Sequence, residues 1–181
     1  FWSVLNIAEP LIYAGSLYFV YLFLNKKDMP LLSKIVIGVL FLPVLIFAST
    51  KYNLSGFDFT NCDREAVEGP LPIYGYLIEI IYTFWMFFIF LYAFKNKLSR
   101  HEKIQTILLL VGISSFLVLF SLGNLIGNFT DNWNYALYGM LGMPIFIGFL
   151  GYLIVKHHMF NLKLFATQAL VWALAIMIGA Q

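Results

Sequence analysis

The segment Gly148-Phe-Leu-Gly-Tyr-Leu-Ile-Val-Lys-His-His-Met-Phe-Asn-Leu-Lys-Leu164 decides how the rest of the chain is interpreted. It begins with the end of an apolar helix, passes through a cluster of basic side chains, and returns to apolar sequence. This pattern is typical of a helix that leaves a bilayer into the cytoplasm, where Lys and Arg concentrate. The segment therefore predicts a membrane protein with a cytoplasmic connection at 156–163.

Composition excludes a soluble domain. Of the 181 residues, 61% are hydrophobic and 11% are charged, and the mean hydropathy is +0.85. An ordinary soluble domain has about 25% charged residues. Cys62 is the only cysteine, which excludes an internal disulfide. Because the chain begins at Phe1 and shows no signal peptide, we expect it to be a fragment of a larger membrane protein.

Six apolar segments are predicted as membrane helices. The first five are near the ~20 residues that a helix needs to cross a bilayer. They lack the period-2 alternation of barrel strands, so helices remain as the way to satisfy the backbone in lipid. The predicted fold is an all-α integral membrane protein, a polytopic bundle of about six transmembrane helices forming a single domain over 1–181. The predicted helices are 1–24, 31–50, 71–94, 104–126, 135–155 and 164–180.

The distribution of Lys and Arg predicts the orientation. Nine of the eleven lie in the connections 25–34, 95–103 and 156–163, which the positive-inside rule places in the cytoplasm. The acidic connection at 51–70, which contains Cys62, is then expected outside. Its length leaves room for a ligand-facing cap, and a solvated connector is equally compatible.

Two carboxylates lie within the apolar segments. Glu9 and Glu79 each follow eight residues after the first residue of their segments, Phe1 and Leu71. At ~1.5 Å rise per residue, each lies ~12 Å below the outer end of its helix. Carboxylates inside membrane helices are costly and indicate a functional site by default. No Lys or Arg in the sequence is placed at that depth to pair with them.

Other polar residues recur at helical spacing around the two acids. Membrane helices turn such stripes toward the bundle interior or a cavity, because lipid cannot satisfy them. We predict a polar ligand-binding pocket open to the outside, and two alternatives stay open: hydrogen bonds that only brace the helices, and a stripe that faces lipid. The candidate pocket residues are Asn6, Glu9, Tyr13, Tyr76, Glu79, Tyr82, Thr83 and Asn124.

Prolines predict bends at Pro10, Pro43 and Pro144. Within 135–155, glycines flank the last of these, and small residues allow close approach of helices. The pairs above and below the bend face different directions, so this helix is expected to pack on different neighbours in its two halves. These glycines are Gly139, Gly142, Gly148 and Gly151.

Catalytic motifs are absent from the sequence. It contains no phosphate-binding glycine-rich loop, no Gly-x-Ser-x-Gly elbow and no His-Glu-x-x-His. We therefore expect no enzyme in this segment, no cofactor, no metal site and no nucleic-acid partner. The histidines His101, His157 and His158 are predicted to face phospholipid head groups rather than a metal.

One part of the sequence resembles a known family. Tyr152, the aliphatic run 153–155, the basic run 156–158, and Met159-Phe-Asn-Leu162 are similar to the close of the N-terminal seven-helix membrane region of bacterial sensor histidine kinases. The run Tyr18-Phe-Val-Tyr-Leu-Phe-Leu-Asn-Lys-Lys27 looks like the end of that region's third helix. The resemblance covers 1–164 and lacks the first two helices.

The resemblance implies a sensory function. It predicts a multi-pass protein of the bacterial inner membrane that detects a stimulus or small ligand in the membrane or from the outer side. The signal would pass to a dimeric cytoplasmic kinase, absent from this chain, and then to a response regulator. The parent protein would carry out ATP-dependent histidine phosphorylation. The alternative is a transporter or channel subunit in which Glu9 and Glu79 couple protons or cations.

Overall fold

The computed structural model describes residues 2–58, 65–96, 100–130 and 134–157, and this part of the chain is mostly helical. A two-stranded hairpin interrupts the helices between the second and the third. The elements in chain order are α1 (Trp2–Asn25), α2 (Leu31–Phe47), β1 (Leu54–Asp58), β2 (Glu65–Glu68), α3 (Leu71–Asn96), α4 (Arg100–Thr130), α5 (Asn134–Gly139) and α6 (Gly142–His157).

Three helices in the described residues are long and apolar enough to cross a membrane. These spans are Asn6–Asn25 in α1, Leu71–Lys95 in α3 and Glu102–Gly127 in α4, and they fall within or largely overlap the predicted segments 1–24, 71–94 and 104–126. The apolar stretches Leu31–Phe47 and Leu137–Leu153 are shorter. The count of six spans stays a prediction, and its last segment, 164–180, lies outside the described residues.

The predicted helix at 135–155 is two helices in the structure. The chain turns at Met140 and Leu141, whose backbone N–H groups donate to Leu137 and Tyr138 over 3.2 and 3.1 Å. Pro144 is the third residue of α6, where its missing N–H removes no intrahelical bond. The proline therefore stands near the start of a new helix instead of bending a continuous one.

The other two prolines lie inside their helices. Pro10 is within α1 and Pro43 is within α2, and both helices continue past them. Pro10 also packs on a neighbour, since a Cβ on Gly75 of α3 would lie 3.9 Å from its Cγ.

Two helix groups form the bundle. α1 packs along α3, and α4 packs along α5 and α6, while α3 and α1 both contact α4 and join the groups. A continuous apolar core runs between them. Its fully buried members include Tyr13, Leu17, Val20, Ile78, Tyr82, Met86, Phe90, Leu109, Ile113 and Leu117.

The outside of the bundle is apolar as well. Large hydrophobic side chains such as Phe84, Phe88 and Leu31 are about 70% exposed, at 71%, 68% and 73%. A water-soluble protein rarely exposes apolar surface of this extent. This distribution, apolar on the outside with carboxylates inside, is compatible with a location in a membrane.

The hairpin departs from the all-α prediction. β1 and β2 pair antiparallel, with an irregularity between Leu54 and Gly56. Its base is fixed to the start of α3, because Leu71 N donates to Tyr52 O over 2.9 Å. Gly69 is required there, since a Cβ would lie 2.1 Å from that same carbonyl oxygen. We call this end of the bundle the hairpin end and the other the basic end; Cys62 lies outside the described residues.

Candidate functional site

One asparagine ties the hairpin end together. Asn53 is 1% exposed, and its Oδ1 accepts a 2.7 Å hydrogen bond from Nδ2 of Asn6 in α1. Its own Nδ2 donates to Ala48 O over 2.7 Å, and its carbonyl accepts from Gly69 N over 3.0 Å. The side chain of Asn53 therefore connects α1 to the end of α2, and its backbone connects to the residue that follows β2.

Glu9 and Glu79 line the same small cavity between α1 and α3. Its volume is ≈ 10 Å³, about the space that one water occupies. Asn6 and Tyr76 line it as well. Glu79 is 1% exposed, and its Oε2 is buried without a hydrogen bond from any described residue. The two acids that the sequence places at matching depth are thus neighbours in the fold.

Helix α4 completes the site. Asn124 is buried, and its Nδ2 donates to Oε1 of Glu9 over 3.0 Å. The hydroxyl of Tyr13 lies beside the Glu79 carboxyl and donates to Leu117 O over 2.9 Å. Side chains from α1, α3 and α4 therefore meet at one point, which we call the carboxyl site: Asn6, Glu9, Tyr13, Tyr76, Glu79 and Asn124.

The site concentrates negative charge. Glu9 lies within electrostatic range of Glu79 and also of Glu68 in β2. Within the described residues, no lysine or arginine pairs with Glu9 or Glu79; the ion pairs there, Lys26–Glu102 and Lys34–Asp28, lie at the basic end. The same described residues contain no group of three or more His, Cys, Asp or Glu that could hold a metal ion.

Two of the predicted pocket residues do not join this site. The Tyr82 hydroxyl donates to Ile37 O over 2.9 Å, so it faces α2 and not the carboxyl site. Thr83 donates to the carbonyl of Glu79 one turn earlier, over 2.8 Å. It lines a separate groove of ≈ 170 Å³ between α3 and α4, with Ser121 on the far side. Helical spacing placed Tyr82 and Thr83 on the correct helix, but it did not predict which neighbouring element each side chain faces.

The basic end carries exposed ion pairs. Asp28 accepts hydrogen bonds from Nζ of Lys34 at 2.6 Å and from the Tyr18 hydroxyl at 2.8 Å. The bond from Lys34, and then that from Tyr18, lowers the pKa of Asp28 below its usual range. Lys26 pairs with Glu102 over 3.0 Å and so links α1 to the start of α4. Exposed pairs of this kind add little stability.

A larger apolar cleft opens at the hairpin end. It has a volume of ≈ 240 Å³, and Phe47, Tyr52, Pro70, Leu71 and Tyr74 line it. The Tyr74 hydroxyl is already used, because it donates to Leu40 O over 2.9 Å. The cleft is therefore lined mainly by apolar side chains, whereas the buried carboxyl and amide groups lie in the carboxyl site.

The sequence interpretation missed Asn53. It lies in a connection that looks like an ordinary polar loop, and nothing in its immediate sequence shows that it is buried. Its amide, which can donate and accept at once, is the only local signal.

No protein-family model, curated protein or solved structure matches this chain. The chemistry of the carboxyl site therefore carries the functional argument.

Proposed function

We propose that this chain is the membrane-embedded sensory region of a bacterial sensor histidine kinase, and that the carboxyl site is its stimulus-responsive element. One observation carries the proposal: Glu79 is 1% exposed inside an apolar helix, and it shares a cavity with Glu9. Membrane helices keep such residues where they serve a function, because an apolar side chain costs less.

The arrangement of the bundle supports a sensory function. In this proposal six helices span the inner membrane, and the connections 25–34, 95–103 and 156–163 face the cytoplasm. The hairpin and the carboxyl site then face outward. A stimulus at the hairpin end acts on the outer ends of the helices. Their inner ends face the cytoplasm, where the kinase would lie.

The contacts provide a route for the signal. The carboxyl site bonds α1 to α4 through Asn124 and Glu9, and α4 packs along α6. The segment that resembles the sensor-kinase exit begins at Tyr152 in the last turns of α6 and continues beyond that helix in the sequence. A change in the charge of the site, or the binding of a ligand there, shifts the equilibrium between two packings of these helices if it stabilises one packing more than the other.

A transporter or channel subunit is the second candidate. The observation that favours it is the buried Oε2 of Glu79, which receives no hydrogen bond from the described residues and is available to a passing proton. Transport also needs access from both ends of the bundle. The cavity beside Glu79 holds about one water and lies between α1 and α3 toward the hairpin end.

Kinase output tests the sensory proposal. Glu79→Gln in the full-length parent kinase removes the charge and keeps the shape, so we expect autophosphorylation in membranes to change several-fold. The matched control is Glu102→Gln, which removes a partly exposed carboxylate at the basic end. It should leave output near that of the unaltered protein.

Unchanged kinase output would contradict the sensory proposal. If both variants reach the membrane at normal levels and give the same kinase output, the carboxyl site has no sensory function. Proton or cation flux through vesicles that contain the chain, lost in Glu79→Gln, would support the transporter instead.

A further inference from the structure

The charges of the carboxyl site need a counter-charge. Glu9 and Glu79 lie close together in apolar surroundings, and no cationic side chain among the described residues pairs with either. Repulsion between like charges is strong where the local dielectric is low. A proton or a metal ion that enters the site would remove this repulsion.

The geometry provides a place for that charge. Oε2 of Glu79 is buried, receives no hydrogen bond from any described residue, and belongs to a side chain that lines the cavity shared with Glu9. Asn6 lines the same cavity; its Nδ2 donates to Asn53, which leaves its Oδ1 as an acceptor. Carboxylate and amide oxygens thus surround one small space.

The number of available ligands argues against divalent ions. Ca²⁺ takes six to eight oxygen ligands, and Mg²⁺ keeps several of its waters. The cavity, at ≈ 10 Å³, admits about one water or an ion of that size. No three acidic, histidine or cysteine side chains come together among the described residues. One water-sized space with few oxygen ligands therefore suits a single small cation.

We propose that the space between Glu9 and Glu79 is a binding site for one small monovalent cation, a sodium ion. The proposal names the stimulus for the sensory site, and its signalling consequence rests on that proposed function. Binding itself depends only on the carboxyl site.

Sodium ions and protons compete for the same charges. Among the described residues, the titratable groups that face the site are Glu9 and Tyr13 from α1, Tyr76 and Glu79 from α3, and Glu68 from β2. α4 contributes Asn124, which is uncharged. A proton on either carboxyl removes the charge that holds sodium, so sodium binding weakens as the pH falls.

Thermal unfolding of the full chain in lipid nanodiscs measures sodium binding. An ion that binds only the folded state raises the unfolding midpoint in a saturable way. At mildly alkaline pH, we expect sodium chloride to raise the midpoint relative to choline chloride at equal ionic strength. Glu79→Gln should abolish this rise, and Glu102→Gln, which lies at the basic end, should keep it. Glu9→Gln serves as the second variant if Glu79→Gln does not fold.

Acidification tests the competition between protons and sodium. Lowering the pH should shrink the rise in the midpoint that sodium causes, and an infrared band of a protonated carboxyl should appear that Glu79→Gln removes. The proposal is overturned if sodium chloride does not raise the midpoint of the unaltered chain above its value in choline chloride, or if Glu79→Gln shows the same rise.

The kinase assay separates this inference from the proposed function. If sodium binds and Glu79→Gln leaves the kinase output unchanged, the cation site is supported and its sensory function is contradicted. If Glu79→Gln changes the kinase output and sodium does not bind, the sensory site is supported and the cation site is contradicted.

Discussion

Two regions of the bundle are held together by different kinds of contact. Where α1 meets α3 and α4 near the hairpin end, buried polar side chains join the helices, as in the 3.0 Å bond from Asn124 to Glu9. Where α4 meets α5 and α6, glycines let the backbones approach. A Cβ on Gly139 would lie 2.8 Å from Leu119 O, and one on Gly142 would lie 2.8 Å from Phe116 Cα.

The difference separates a responsive region from a supporting one. Helices in lipid associate through close packing and interhelical hydrogen bonds, because lipid gives them no hydrophobic drive. The glycine contacts contain no group that can gain or lose charge. The carboxyl site contains Glu9 and Glu79, so a stimulus that acts through charge has its target there.

The largest expected effect comes from the glycine region. Gly142→Ala pushes a methyl group into the backbone of Phe116, so we expect the free energy of unfolding to fall by about 1–3 kcal/mol, as in other overpacked interiors. The measurement is reversible unfolding in mixed micelles.

Gly148→Ala is the matched control for that substitution. It lies on the same helix, and a Cβ there meets nothing within 4 Å. Because Ala favours a helix over Gly by up to about 1 kcal/mol, this variant should be neutral or more stable. Equal losses at both positions would show that α6 does not approach α4 closely at Gly142.

A smaller effect is expected in the polar region. Tyr13→Phe removes the hydroxyl that donates to Leu117 O and so breaks one link between α1 and α4. Interhelical hydrogen bonds in membranes average about 0.6 kcal/mol and reach about 1.7, so we expect a loss within that range.

Tyr92→Phe is the control for the tyrosine prediction, since Tyr92 is 61% exposed on α3. It should change the free energy of unfolding by less than about 0.5 kcal/mol. If Tyr92→Phe costs as much as Tyr13→Phe, the bond to Leu117 is not what holds α1 to α4.

The sequence predicted the elements that depend on period and length. Long apolar runs predicted α1, α3 and α4, because the need to satisfy the backbone in lipid leaves few other structures. Equal spacing from the segment starts predicted that Glu9 and Glu79 lie at one level. Helical spacing also pointed to Asn6, Tyr13 and Asn124, which the structure places around the two acids.

Features that depend on tertiary contacts could not be predicted from the sequence. Tyr82 and Glu79 are three residues apart on α3, and only the position of α2 decides that the Tyr82 hydroxyl turns away to Ile37. Asn53 becomes structural because the hairpin folds back on α1. The turn at Met140 and Leu141 divides a run that is apolar throughout, so hydrophobicity alone did not mark it.

A double-mutant cycle on Glu9→Gln and Glu79→Gln tests most directly whether the two carboxyls form one site. The first substitution relieves the repulsion between them, and the second then has none to relieve. The two changes in free energy of unfolding at mildly alkaline pH, where both carboxyls are charged, are expected to be coupled by more than about 0.5 kcal/mol. Changes that add to within about 0.3 kcal/mol would contradict it, because independent sites behave in that way.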